Sequence, residues 1–324
     1  MPAFKLRRCD RCNLYHASYV MEDPQRGKIN LCTDCWNAAN QELQPAAPEK
    51  TVQSALADAP RKIPRLDLQT LLAHVLGQSR AWILAHPEAA LTAAQAREWK
   101  VALGRLRRGA PLPYVLGIWE FFGLEFIVTP QVLIPRPETE LLVETALSSI
   151  KRPNSAIRNC MDVGTGSGCI AVALAVHAPT LALIATDISP EALAIAHANA
   201  VKHGVAGRIE LYTADLLDCP ALAGRRFDLL VANLPYIPTS TLRLLEVYDR
   251  EPSLALDGGA DGLDLIRRLL QTASAHLAPG GVLLLEIEAS QGKPALELAR
   301  QAFPQAKIKV LPDLSGRDRL LVIR

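Results

Sequence analysis

From about Ile157 onward, short apolar runs of strand length alternate with segments of helical period, and this alternation restricts the fold more than any other feature of the chain. CMDV at 160–163 precedes a helical stretch from Ile170 to Val176, and LALIATD at 181–187 precedes one from Pro190 to His203. IELYTAD at 209–215 and FDLLVAN at 227–233 follow, and a helical stretch from Leu263 to Leu277 leads into GVLLLEIE at 281–288. Strands that alternate with helices build a parallel sheet covered on both faces, so the expected class is α/β.

The preceding residues obey other periods. Between Pro64 and Arg108, Leu68, Leu71, Leu72, Val75 and Leu76 form one apolar helical stripe. A second helix opens at Thr92 with Gln95 completing a capping box, and Trp99, Leu103 and Leu106 continue its stripe. WEFFGLEFIVTP at 119–130 reads as a hairpin about Gly123, followed by the proline-bounded loop LIPRPETE at 133–140. The expected organisation is a cysteine-bearing module at 1–36, an Ala-, Pro- and Gln-rich linker at 37–63, a small helical domain at 64–117, a hairpin and connecting loop at 118–137, and the sheet domain at 138–324. With 49% hydrophobic residues the chain can bury a sizeable core. The formal charge of +2 argues against binding a polyanion through bulk charge. No uncharged apolar stretch approaches the roughly 18 residues of a membrane span, and MPAFKLRRCDRC has no apolar signal core, so the expectation is a soluble cytoplasmic protein without membrane partners.

DVGTGSG, Asp162 to Gly168, leaves a predicted strand and enters a predicted helix, where glycines let the backbone turn tightly around a nucleotide-like ligand. The sixth position of the dinucleotide fingerprint, counted from Gly164, is Cys169 rather than glycine, so the pattern is G-x-G-x-G. Asp187 ends the next strand 19 positions after Gly168, placed to accept hydrogen bonds from ribose hydroxyls; it also precedes the capping Ser189 and Pro190, where it would favour a helix dipole. Asp215 ends the third strand, near where an adenine would lie, or is an ordinary loop carboxylate. With Thr165, Gly166 and Ser167 between the outer glycines, the set is similar to the S-adenosylmethionine site of Rossmann-like methyltransferases.

Asn233-Leu234-Pro235-Tyr236 follows the fourth strand directly, at the carboxyl edge where open α/β sheets bind ligands. It resembles the Asn-Pro-Pro-Tyr motif of methyltransferases that act on a nitrogen conjugated to a planar π system. The lone pair of such a nitrogen is delocalised. A side-chain oxygen at Asn233 and the backbone carbonyl of Leu234 can accept its two N–H hydrogens and aim the lone pair at a methyl donor, with orientation and preorganised hydrogen bonds supplying the catalysis. Tyr236 can pack on the flat group, and Pro235 holds Leu234 extended. The spelling NLPY also resembles the ribosomal RNA adenine dimethyltransferases, so the motif alone does not choose the substrate.

Further stretches do choose: PRLDLQTLLAHVLGQSR at 64–80, RRGAPLPYVLGIWEFFGLEFIVTPQVLIPRPETELLVE at 107–144, EPSLALDGGADGLDLIRRLL at 251–270 and SGRDRLLV at 315–322. Together they closely resemble the peptide chain release factor N(5)-glutamine methyltransferases over residues 64–324, with ribosomal-protein glutamine methyltransferases as near neighbours and an RNA adenine N6-methyltransferase as the alternative from the shared motif. The resemblance implies a Rossmann-like S-adenosylmethionine-dependent methyltransferase domain, methylation of the glutamine in the Gly-Gly-Gln loop of release factors, donor binding by Gly164 to Gly168, Asp187, Leu216 and Asn233, and glutamine binding by Asn233 to Tyr236. Arg136 and Glu138 would order the loop near the donor or serve as a structural hinge.

Cys9, Cys12, Cys32 and Cys35 have the spacing C-x2-C-x19-C-x2-C, which resembles a zinc ribbon around a hairpin from Ser18 to Met21 and Lys28 to Leu31. About 36 residues cannot bury enough core to fold alone, so a four-thiolate structural zinc would supply the stability; disulfides or free thiols are the other readings. Residues 1–36 hold six Lys and Arg against four Asp and Glu, so the whole formal +2 lies there. Lys5, Arg7, Arg8 and Arg11 beside the first knuckle leave open a ribosome or RNA contact, a release factor contact, or a solvated basic edge. Cys160, Cys169 and Cys219 have no paired spacing and read as ordinary buried thiols.

Overall fold

The computed structural model describes residues 9, 10, 12, 19–23, 27–32, 34, 35, 50–153 and 155–324. Among these, two compact units meet in the sequence between Ile118 and Trp119. No helix in the described residues is long and apolar enough to cross a membrane.

In the first unit, strands β1 (Tyr19–Asp23) and β2 (Gly27–Leu31) pair antiparallel. From residue 50 onward the unit is helical, with α1 (Val52–Ala57), α2 (Arg65–Leu76), α3 (Arg80–Ala85), α4 (Ala93–Arg107) and α5 (Leu112–Leu116). The α2 stripe buries Leu68, Leu71, Leu72 and Val75, and α4 buries Trp99, Leu103 and Leu106 behind the Thr92–Gln95 capping box. Helix α1 lies inside the segment that composition assigns to a linker. Its capping box uses serine as the third residue, with the Ser54 amide donating to Thr51 Oγ1 at 3.2 Å and the Thr51 amide to Ser54 Oγ at 2.9 Å. Six residues are too few for a helical stripe to stand out, so the fold extends the helical unit back to about residue 50. Residues 37–49 of the expected linker, and Lys5, Arg7, Arg8 and Arg11, lie outside the described residues.

The second unit opens with a hairpin, β3 (Ile118–Phe121) and β4 (Leu124–Ile127), whose turn places Phe122 and Gly123 at φ +53° and +71°. Two consecutive left-handed residues match the right-handed twist of the strands they join. Seven further strands form the main sheet: β5 (Asn159–Val163), β6 (Ala182–Asp187), β7 (Ile209–Thr213), β8 (Phe227–Ala232), β9 (Leu277–Glu286), β10 (Ile308–Pro312) and β11 (Asp318–Ile323). Their spatial order is β10-β11-β9-β8-β5-β6-β7. Strands β5 to β9 run parallel, as the strand–helix alternation requires. The edge corrects that expectation: β11 is antiparallel to both β9 and β10, so the sheet is mixed. The strand–helix alternation covers β5 to β9 and does not extend to residues 308–323, where a short connection returns the chain antiparallel.

Successive strand residues face opposite sides of a sheet, and the two sides here have separate cores. Cys160, Leu183, Leu229, Leu284 and Val322 pack with helices α6 (Glu140–Ile150) and α7 (Cys169–His177). Met161, Val163, Leu230, Leu285 and Leu321 pack with α10 (Asp264–His276) and α11 (Gly292–Ala302). Between these helices the chain also forms α8 (Pro190–Lys202) and the short α9 (Thr239–Leu242). The chain leaves β5 with β6 on one side and β8 on the other, which opens a crevice at the carboxyl ends of the strands.

A buried amide ties the hairpin to this crevice. Asn199 of α8, fully buried, accepts from the Ile127 amide at 2.7 Å and donates to the Ile127 carbonyl at 3.0 Å and the Ser167 carbonyl at 2.8 Å. Replacing it by leucine strands three backbone groups, each costing about 1–3 kcal/mol when buried unpaired. Asn199→Leu is expected to lower stability by roughly 3 kcal/mol or more in urea titration; a midpoint equal to that of the unaltered protein would contradict the assignment.

Candidate active site

The loop after β5 is stitched to its neighbour through one carbonyl: the amides of Gly164 and Thr165 both donate to Thr186 O at 2.9 Å. Gly168 has φ +78°, and a Cβ there would lie 3.0 Å from Ala196 Cα and Cβ, so only glycine lets the start of α7 approach α8 this closely. At Gly164, with φ +74°, a Cβ would stand 3.0 Å from Leu234 Cδ2. The glycine loop therefore rests on the buried Leu234 side chain, and the two motifs singled out in the sequence are in contact. Asp187 completes the loop from β6, its carboxylate accepting from the amides of Gly166 at 2.8 Å and Ser189 at 2.9 Å. Burial raises its pKa above the ordinary carboxylate value.

These elements enclose a cavity of about 650 Å³ lined by Gly164, Thr165, Gly166, Ser167, Asp187, Asp215, Leu216, Asn233, Leu234 and Pro235. That is the size of a pocket for a drug-sized molecule. A Cβ at Gly166 would meet nothing within 4 Å, so the loop backbone has open space on this side. Leu216 adopts φ +57°, a left-handed backbone at a residue with a side chain, and its carbonyl accepts from Thr186 Oγ1 at 3.0 Å. Asp215 pairs with Arg268 at 2.8 Å, both side chains about half exposed.

Two of the residues singled out in the sequence do not line the cavity. Gly168 is committed to helix packing. Tyr236 is turned towards Glu286, its hydroxyl 3.4 Å from Oε1, while its carbonyl accepts from Gln291 Nε2 at 2.9 Å. Burial and the neighbouring Glu286 carboxylate raise the Tyr236 pKa, so its phenol stays protonated. Asn233 lines the cavity with its amide tethered, Nδ2 donating to Thr139 Oγ1 at 3.0 Å. In the LIPRPETE loop, Arg136 pairs with Glu251, which also accepts from the Ile134 amide at 3.1 Å, whereas Glu138 is exposed.

Sequence reasoning missed Thr139, Asn199, Glu251, Glu286 and Gln291. One signal was available: Glu286 is a carboxylate inside the apolar run GVLLLEIE, and charges are almost never fully buried without a partner or a purpose. Asp162 in CMDV repeats the pattern. It is fully buried, accepts from Thr165 Oγ1 at 2.6 Å, and its Oδ1 has no hydrogen-bond partner among the described residues.

The four cysteines Cys9, Cys12, Cys32 and Cys35 are buried together with their Sγ atoms all within 4.8 Å of one another. Cys12 and Cys32 Sγ lie 3.7 Å apart. A tetrahedral zinc with Zn–S bonds of about 2.3 Å separates its sulfurs by roughly 3.8 Å, so the donor set fits that ion with no ligand position left open. The Cys32 amide donates to Cys9 Sγ at 3.3 Å. The cluster packs against Val101 of α4, and Asp34 lies 3.0 Å from Arg108 and 3.8 Å from Arg105. Arg105 in turn donates to the carbonyls of Tyr114 at 3.1 Å and Val115 at 3.5 Å, linking the cysteine module to α4 and α5.

Desolvation pushes Asp162 up to about 7 from an ordinary 3.8. Between these values the folded protein keeps a proton that the unfolded chain has lost, so stability falls as pH rises through the window and levels off above it. The contribution of Asp162 is on the order of 4 kcal/mol at most. Asp162→Asn is expected to lose less stability than the unaltered protein between pH 5 and pH 8 in urea titration; equal losses would refute the assignment.

A profile of the PrmC N-terminal domain matches residues 50–117, and one of a methyltransferase domain matches residues 160–249. The release factor glutamine methyltransferase of Moorella thermoacetica is 44% identical over 277 residues, covering 83% of this chain and 96% of that protein. Those of Koribacter versatilis and Cereibacter sphaeroides are 42% and 43% identical, covering 83% and 80% of this chain and 93% and 90% of their own. The methyltransferase domain implies S-adenosylmethionine as the methyl donor. With relatives of this identity along nearly their whole length, the chain belongs to the release factor glutamine methyltransferase family.

Proposed function

We propose that this protein transfers the methyl group of S-adenosylmethionine to the side-chain amide nitrogen of the glutamine in the Gly-Gly-Gln loop of peptide chain release factors. The observation that carries this reading is the tethered Asn233 amide at a cavity whose other wall is the glycine loop and Asp187. The names of the relatives support the substrate.

Bound S-adenosylmethionine supplies an electrophilic methyl group on a sulfonium. The backbone of Gly164 to Ser167 and the side chains of Asp187, Asp215 and Leu216 would hold the donor. Asp187 already takes two backbone N–H groups through its two oxygens and has lone pairs left for ribose hydroxyls. Asn233 Oδ1 and the carbonyl of Leu234 accept the two hydrogens of the glutamine amide, which removes its rotational freedom and directs the nitrogen lone pair into the cavity. Leu234, buried beneath Gly164, keeps that carbonyl in place by packing where the usual motif has the stiffness of proline. Tyr236 contributes from behind, its backbone carbonyl held by Gln291. No ionised base has to act, since the methylated amide sheds its proton after transfer.

We also propose that the four cysteines hold one structural zinc. Four thiolates around a dication leave a net charge of −2, and the Arg105 guanidinium beside Asp34 offsets part of it.

Label from methyl-tritiated donor is expected on purified release factor and not on a factor whose loop glutamine is changed to alanine. Asn233→Ala should lower kcat by roughly 100-fold or more. Label that survives the glutamine change, or that ribonuclease removes, would overturn the reading. Elemental analysis should find one zinc per chain, and its removal by chelation should speed amide exchange in α4 and α5 while leaving β5 to β9 unchanged; uniform protection with and without metal would show that the ion does not support the helical unit.

A further inference from the structure

The usual form of the acceptor motif has proline at its second position, where the ring locks φ at about −65° and thereby helps to fix the direction of that residue's carbonyl. In this chain the position is Leu234, whose φ has no ring to hold it. Pro235 biases Leu234 towards an extended backbone without locking that φ. Packing against Gly164 holds the Leu234 side chain, which is one end of the turn. A short backbone segment keeps its course only when the other end is held too.

That other end is Tyr236, and two separate parts of the chain close on its backbone. Gln291, 5% exposed in the turn Ala289–Gln291, donates from Nε2 to the Tyr236 carbonyl at 2.9 Å and to the Gly262 carbonyl at 3.1 Å. Its Oε1 accepts from the Glu288 amide at 3.0 Å. Both N–H groups and the oxygen are therefore committed, and a reversed amide would set N–H against N–H at Glu288 and oxygen against two carbonyls. The second part is the run Asp257–Gly262. A Cβ at Gly258 would stand 2.7 Å from Tyr236 Cα, and one at Gly262, with φ +76°, would fall on the Tyr236 carbonyl oxygen and 2.6 Å from Gln291 Nε2. The Ile237 amide donates to Leu256 O at 3.0 Å and the Gly258 amide to Ile237 O at 2.8 Å, so the next residue is held as well. Gln291, Tyr236 and Gly262 do not line the cavity.

We infer that Gln291, closing on Tyr236 together with Gly258 and Gly262, is a positioning residue for the methyl acceptor and supplies from outside the stiffness that leucine in place of proline leaves out of the Asn-Leu-Pro-Tyr backbone. With Leu234 packed at one end, Tyr236 pinned at the other and Pro235 locked between them, the Leu234 torsion cannot turn without breaking a contact at one end. The Leu234 carbonyl then stays where a glutamine N–H can reach it. A displacement of about 1 Å in such an acceptor is enough to cost on the order of 100-fold in rate. Proline at position 234 and the Gln291 clamp restrain the same backbone, so each makes the other less necessary. The effect on rate rests on the proposed glutamine substrate; the clamp itself does not.

A double-mutant cycle in the full chain tests it. Gln291→Met keeps the length of the side chain and removes its donors; it is expected to lower kcat on release factor about 10- to 100-fold, with calorimetric affinity for S-adenosylmethionine within about 2-fold. In a Leu234→Pro background the same Gln291→Met change should cost less than about 3-fold, measured against Leu234→Pro alone. A residue that merely supports the fold would cost the same in both backgrounds. Equal losses in the two backgrounds, an unchanged kcat in Gln291→Met, or a fall in donor affinity equal to the fall in kcat would overturn the inference. The Gln291 side-chain amide protons give a readout on the unaltered protein that needs neither variant nor substrate: by NMR both should exchange about 100-fold or more slowly than those of a free glutamine. Fast exchange of either proton would refute the clamp even if release factor is methylated. Protected Gln291 protons with an unlabelled release factor would instead overturn the substrate, and with it the role in positioning the acceptor, while upholding the clamp.

Discussion

The pairing of β5 with β8 is the contact on which the site depends. Chain order would place β5 beside β6 and β7 alone; inserting β8 on its other flank reverses the winding of the sheet and puts the glycine loop against the Asn-Leu-Pro-Tyr segment. The van der Waals contact of Gly164 with Leu234 is the local expression of that pairing. The glycine loop and the Asn-Leu-Pro-Tyr motif, separated by nearly seventy residues of chain, thereby share one cavity, and the hydrogen bonds of Asp187 and Thr186 hold the loop's shape.

Around this crevice the fold keeps carboxyl groups where solvation would not. Asp162 and Glu286 sit near the carboxyl ends of β5 and β9, the apolar strands on either side of β8, and desolvation pushes both up to about 7. Each opposes folding once ionised, so each is retained at a cost to stability. Asp162 takes the hydroxyl of Thr165 and so braces the glycine loop, while Glu286 stands behind Thr139 and Tyr236. The glycine loop and the Asn-Leu-Pro-Tyr segment are thus supported from beneath by buried carboxyl groups that do not line the cavity.

The helical unit shows a different way of stabilising a small element. Among the described residues, Leu31 of β2 is buried with the four cysteines, and Ile29 and Val101 pack against this cluster. It is joined to α4 through Val101 and through Asp34 with Arg105 and Arg108, and Arg105 carries the connection on to α5. The cysteine module is therefore continuous with the helices that the PrmC N-terminal domain profile matches, rather than an appendage on a linker.

What the sequence determined was local. The period of apolar residues gave five parallel strands and their helices, the Thr92–Gln95 capping box marked a helix start, the spacing of the glycines marked a strand-to-helix turn, and two C-x-x-C pairs marked a four-cysteine cluster. Each rests on residues a few positions apart, whose geometry the backbone fixes directly. Only the tertiary structure decided that β11 inserts antiparallel beside β9, that Tyr236 turns from the cavity towards Glu286, and that Thr139 meets Asn233. Those contacts join side chains far apart in the chain, and none leaves a periodic trace, because a hydrogen bond between distant strand ends depends on sheet order and register, which are set by burial of the whole sheet at once.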